Sequence, residues 1–196
     1  MTVVSTPIEY PAGGVTCNGA YFTPEAADGP LPIVLVVHAW DGLVDEVRDK
    51  ATRLAEAGYI AFAIDVHGGG KTYSDMAELE AALTPFMADR QMLLDRLTGA
   101  VAAAQTIPGA DTSRMAAIGY CFGGTCALDL ARAAGDEVKA VVSFHGGLMG
   151  NGLAVDKPIS AEVLVLHGQD DPLVPPEQVS AFIAEMQQRD ANWELV

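Results

Sequence analysis

The stretch Met115-Ala116-Ala117-Ile118-Gly119-Tyr120-Cys121-Phe122-Gly123-Gly124 constrains the fold more than any other part of this chain. A short apolar run ends in Gly-x-Cys-x-Gly. Cys126, Ala127, Leu128, Leu130 and Ala131 then follow at helical spacing. Strand, sharp glycine-flanked turn and helix are the context in which a nucleophile is held exposed at the end of a sheet. Gly119 and Gly123 leave room for strand and helix to pass closely. Cys121 falls at the helix N-terminus, where the macrodipole and free N–H groups favour a thiolate, so its pKa is expected below the free-thiol value of ~8.5. The competing reading is a buried structural cysteine.

At 196 residues, half of them hydrophobic, the chain suits one globular domain spanning 1–196. No apolar run approaches the ~20 residues that span a bilayer, and Met1 to Ser5 lacks a basic flank and a signal core. Three cysteines at irregular spacing suit reduced thiols in a cytoplasm better than a disulfide framework. The net charge of −15 disfavours nucleic acid and anionic membrane as partners. It also means that a site for an acidic substrate must be built locally.

In chain order, 3–9 and 15–22 read as an antiparallel hairpin. Ile33 to Val37 is a continuous apolar run, as in a strand buried on both faces, and ends in His38-Ala39-Trp40-Asp41-Gly42. An amphipathic helix stops at Gly58, and Ile60 to Ile64 is the next strand, ending in Asp65. A helix is expected over 75–82. Thr84-Pro85 is expected to cap a longer one through about Gln105. After the turn at Cys121, strands are expected at 138–144 and 161–166, a helix from Pro176 to about Arg189, and a final strand from Trp193. This alternation predicts an α/β fold: a mostly parallel, doubly wound sheet with an N-terminal antiparallel hairpin, its ligands bound at the carboxyl ends of the strands.

His167-Gly168-Gln169-Asp170-Asp171-Pro172 follows one of these strands and lies after the nucleophile, where a triad acid belongs. Asp171, just before the proline, is preferred to Asp170. His167 precedes it on the same loop and reads as structural. An oxyanion hole needs two backbone donors, which by position are Phe122 and either Trp40 or Ala39.

These residues together resemble the dienelactone hydrolase family of α/β-hydrolases. The resemblance is carried by the strand ending in His38, the Leu54-Ala55-x-x-Gly58-Tyr59 helix end, Ile64-Asp65, the Gly119-to-Gly124 turn, Ser143-Phe144-His145-Gly146-Gly147 and the loop from His167 to Pro175. It implies a cytoplasmic hydrolase of small-molecule esters or lactones needing no metal or other cofactor, with Cys121 as nucleophile and Asp171 as triad acid. The family's reference reaction opens the lactone of 4-carboxymethylenebut-2-en-4-olide. Family members hold the substrate carboxylate with arginines, and Arg90 lies in the matching region; an exposed helical arginine is the alternative. A glutamate that meets the resting thiol stands in the family where Ala39 stands here, and Asp41 is the nearby carboxylate.

The resemblance also places the triad histidine after the last strand. The four histidines here, His38, His67, His145 and His167, all precede Asp171. The expectation is therefore a chain shortened at its C-terminal end. His145 is the one histidine that could approach the site, although a structural role in its glycine-rich loop is favoured. Two other readings stay open. One is a general carboxylesterase. The other is a non-catalytic, self-associating building block, since a final strand without a covering helix leaves an apolar sheet face.

Overall fold

A computed structural model describes residues 2–27, 29–154 and 156–196. The N-terminal strands β1 (Val3–Ala12) and β2 (Val15–Pro24) form the expected hairpin. Then follow β3 (Leu31–Val37), α1 (Asp45–Glu56), β4 (Ile60–Ile64), α2 (Met76–Ala88), α3 (Arg90–Ala104), β5 (Ala110–Tyr120) and α4 (Phe122–Ala133). The chain ends in β6 (Ala140–Phe144), β7 (Glu162–Leu166), α5 (Pro176–Gln188) and β8 (Asn192–Leu195).

Among the described residues the strands make one sheet in the order β1-β2-β4-β3-β5-β6-β7-β8. β2 pairs antiparallel with both β1 and β4, and every pairing from β4 to β8 is parallel. The apolar run of β3 is buried on both faces, as a central parallel strand requires. Its Ile33, Leu35 and Val37 belong to the same core as Leu97 of α3, Leu130 of α4 and Phe182 of α5. Its Val36 faces the other way, with Ala51 and Ala55 of α1. Full burial of one such side chain contributes about 1.5–3 kcal/mol. Crossing over between β3 and its two neighbours leaves the ends of β3 and β5 side by side, the switch point at which such sheets bind ligands.

One helix boundary differs from the expectation. Pro85 lies inside α2 instead of opening the next helix. The break falls at Asp89, whose carboxylate accepts the Met92 N–H at 3.0 Å and caps α3. A side-chain acceptor satisfies a free helix N–H, whereas proline only lacks one of its own, so the aspartate decides where α3 begins.

Candidate active site

The strand β5 turns sharply into α4 at Cys121, whose φ of 55° and ψ of −117° are sparsely populated for a residue with a side chain. Close packing imposes this conformation. A Cβ on Gly119 would fall on the carbonyl of Gly123, and one on Gly123 would fall on the carbonyl of Val37. Helix and strand therefore meet backbone to backbone. The Cys121 N–H donates to the Phe144 carbonyl at 2.9 Å, and its own carbonyl accepts the Gly124 N–H at 2.9 Å. These bonds hold the half-buried thiol at the mouth of a cleft of about 180 Å³.

The expected low pKa of this thiol is overturned. Burial pushes the Cys121 thiol up, and the charges of Asp171 and Asp41 add to the rise; only a hydrogen bond from the Phe122 N–H opposes them. The helix end supplies one favourable amide, but desolvation beside two carboxylates outweighs it. The resting group is a thiol that needs a base.

Asp171 lies in the same cleft, whereas Asp170 is exposed. Its Oδ1 accepts the Leu173 N–H at 2.9 Å, which fixes the carboxylate plane. Its buried Oδ2 accepts no hydrogen bond of good geometry, yet the Nε2 of His145 stands 3.0 Å away. His145 follows β6 with φ 57°, its side chain is 58% exposed, and it lines the cleft with Cys121. His145 thus approaches the site: strand β6 lies between β5 and β7, so the residue just past its end faces the loops of both. His167 sits in the loop between β7 and α5, its N–H donating to the Val196 carbonyl at 2.9 Å.

On the other side of the cleft, Phe122 is the first residue of α4, where a helix has no internal acceptor for the N–H. The indole of Trp40 lines the cleft, and its carbonyl meets His67 Nε2 at 2.7 Å. Ala39 accepts at its carbonyl from His38 Nδ1 at 2.5 Å. His38 is fully buried behind this loop, and its Nε2 accepts the Val66 N–H at 3.0 Å. Both contacts fix it as the neutral Nδ1–H tautomer, and a second proton would face the Val66 N–H. Burial, with His67 beside it, lowers its pKa to about 4. The Asp65 carboxylate accepts the Asn18, Gly68 and Gly70 N–H groups at 2.7–2.9 Å and ties down the opposite loop.

His38 carries a pH dependence. Unfolded, it takes up a proton below about pH 6.5; folded, it resists until about pH 4. Its contribution is intact above pH 6.5 and is lost as the pH falls through that window, on the order of 3 kcal/mol in all. Urea melts of wild type and His38→Gln between pH 7.5 and 4.5 check this. The wild type is expected to lose stability on acidification more steeply than the variant; parallel curves would refute the assignment.

Arg90 is neither an exposed helical arginine nor a residue of the cleft wall. It opens α3 and pairs with the buried carboxylate of Asp129. Asp129 also meets Arg132 at 3.3 Å, and Arg132 pairs with Glu185 of α5 at 2.8 Å and donates to the Leu148 carbonyl at 3.1 Å. Burial pushes the Asp129 carboxyl up in spite of the two guanidinium groups. Sequence reading passed over this network. Its one trace is an acid and a base three residues apart, Asp129 and Arg132, inside a helix with no other charged residue.

Of the other cysteines, Cys126 is in the core and Cys17 is buried in the hairpin; all three are free thiols. Among the described residues no group of three or more His, Cys, Asp or Glu side chains is placed to hold a metal ion. No helix of the described residues is long and apolar enough to cross a membrane.

The sequence model of the dienelactone hydrolase family matches residues 17–196. This chain belongs to the dienelactone hydrolase family. A protein of Yersinia pestis that carries the name carboxymethylenebutenolidase as a provisional assignment is 32% identical over 186 residues, covering 88% of this chain and 68% of that protein. A Bradyrhizobium protein, provisionally named 2-oxo-3-(5-oxofuran-2-ylidene)propanoate lactonase, is 29% identical over 187 residues, covering 90% of this chain and 74% of its own. Among solved structures, the dienelactone hydrolase-like promiscuous phosphotriesterase P91 from metagenomic libraries superimposes with a TM-score of 0.94. It is 34% identical, over 100% of this chain and 81% of its own. The chain is thus a hydrolase of the ester and lactone type.

Proposed function

We propose that this family member cleaves a small carboxylic ester or lactone through a covalent acyl-enzyme on Cys121. The observation that carries the reading is the convergence of Cys121, His145 and Asp171 on one cleft, with the strained turn holding the thiol outward. The His145 imidazole takes the thiol proton, and the thiolate sulfur attacks the carbonyl carbon. The Phe122 N–H and an N–H of the 39–40 loop receive the charge that develops on oxygen. Collapse of the tetrahedral adduct expels the alcohol, which takes the proton from the imidazolium. In a lactone the alcohol stays tethered to the acyl group. Water, deprotonated by the same imidazole, then releases the acid. Asp171 orients the imidazole and stabilises its protonated form.

His145 is the imidazole that this chain brings to Asp171, whereas the family resemblance implies one that follows Asp171 in sequence. The free thiols and the charge of −15 support a reducing, cytoplasmic setting and a small-molecule partner rather than nucleic acid.

A burst experiment with p-nitrophenyl acetate tests the reading. Wild type is expected to release nitrophenol in a burst equal to the enzyme concentration, with the acetyl group located on Cys121 by mass spectrometry. Asp171→Asn should slow turnover by about 10³–10⁴-fold, and His145→Ala by a comparable factor. Acetylation elsewhere, or no burst, overturns the nucleophile. Unchanged turnover in His145→Ala overturns that histidine as the base.

A further inference from the structure

The cleft at Cys121 does not end at the thiol. Trp40, Leu83 and Met87 form one wall of it, and the same three side chains begin a larger groove of about 600 Å³ over α2, continued by Met76, Leu79 and Ala88. The two are one continuous surface that leads away from the nucleophile. It is unusually apolar for a place open to water. Met76 is 60% exposed, Leu173 72%, Met87 42% and Trp40 41%. Large apolar side chains left uncovered beside a reactive group mark a place where a ligand supplies the missing cover, and methionine adapts to varied shapes.

The charges of this surface are as informative as its apolarity. Among the described residues lining cleft and groove there is no lysine and no arginine. Besides the Cys121 thiol, the ionisable side chains there are Asp171, Glu80 and the imidazole of His145. Asp41 adds a further negative charge felt at the thiol. Arg90, the nearby guanidinium, is committed to Asp129. A carboxylate on the substrate would therefore meet carboxylates with no lysine or arginine to offset them, in a chain of net charge −15.

We infer that the preferred substrates are uncharged esters or lactones whose apolar acyl or alkoxy group lies along Trp40, Leu83 and Met87, and that carboxylate-bearing substrates are rejected. This rests on the proposed role of Cys121 and adds the substrate class. It separates this chain from its relatives named for lactones that carry a carboxylate.

The test compares p-nitrophenyl butyrate with mono-p-nitrophenyl succinate, two four-carbon acyl groups that differ by a terminal carboxylate. The kcat/KM for butyrate is expected to exceed that for the succinate ester by about tenfold or more. It should also exceed that for acetate by about tenfold, since two more methylenes leave water. Met87→Arg, at an exposed position on α2, should narrow the butyrate-to-succinate ratio by raising the succinate value. Equal or faster hydrolysis of the succinate ester by wild type overturns the inference.

Binding to Cys121→Ala in a Trp193→Phe background, read by quenching of the remaining Trp40, separates the two proposals. Tighter binding of butyrate supports the groove even if the thiol proves not to be the nucleophile. Equal binding of the two esters, or tighter binding of the succinate, refutes it even if the thiol is.

Discussion

Replacing Cys121 by alanine is expected to lower kcat/KM for p-nitrophenyl acetate by on the order of 10⁴-fold or more, with the melting temperature nearly unchanged. The size of the effect follows from the division of labour in the cleft. The amide of Phe122 and the loop at Trp40 would still bind and polarise the ester, which leaves a residual rate above that in water. The covalent route, however, would be gone. Stability should hardly move because alanine meets the same backbone strain at φ 55° and keeps both main-chain bonds of the turn. The wild-type rate should climb with pH, because burial, Asp171 and Asp41 all favour the protonated thiol and a rising pH opposes them. Steady-state kinetics from pH 6 to 10 with thermal melts of both proteins check these outcomes. A variant that keeps its activity would remove the thiol from the chemistry.

The largest stability effect is expected at Asp129. Asp129→Ala should destabilise the protein by about 3–5 kcal/mol, because it strands the largely buried guanidinium of Arg90 and takes one partner from that of Arg132. Arginine cannot shed its proton to escape burial. Arg90 has the harder position, since Arg132 keeps Glu185 and the Leu148 carbonyl as partners whereas Arg90 loses the carboxylate it pairs with. For a chain of this length such a loss lowers Tm by roughly 10 °C. Adding Arg90→Met to Asp129→Ala should recover part of it by removing one orphaned charge. A melt within a degree of wild type for Asp129→Ala would show that the charges are solvated in spite of their burial. The network also reaches function, for Arg132 holds the carbonyl of Leu148 three residues after His145. Loosening it should therefore blur the position of the imidazole as well as lower Tm.

Local sequence is a good guide wherever one rule acts alone. The continuous apolar runs of β3 and β4 announce strands buried on both faces, because only such strands can dispense with alternation. Gly58 and Gly135 end α1 and α4 at positive φ, where glycine meets no Cβ penalty. The turn at Cys121 is legible for the same reason: Gly119 and Gly123 must be bare where backbones touch. The start of α3 is misread because two local signals compete, a proline at 85 and a capping aspartate at 89, and the hydrogen bond from Met92 decides between them.

By itself, then, the order of residues determined the alternating sheet, the turn that presents Cys121, and the loop that carries Asp171, since each depends on a few neighbouring side chains. Tertiary structure alone decided three other things. It set the thiol's ionisation, because the burial and the distant carboxylates that raise it come from separate loops. It committed Arg90 to Asp129, 39 residues away in sequence, instead of leaving it in water. And it brought His145 within 3.0 Å of Asp171, because the strand order places β6 beside β7, a pairing that no local pattern encodes.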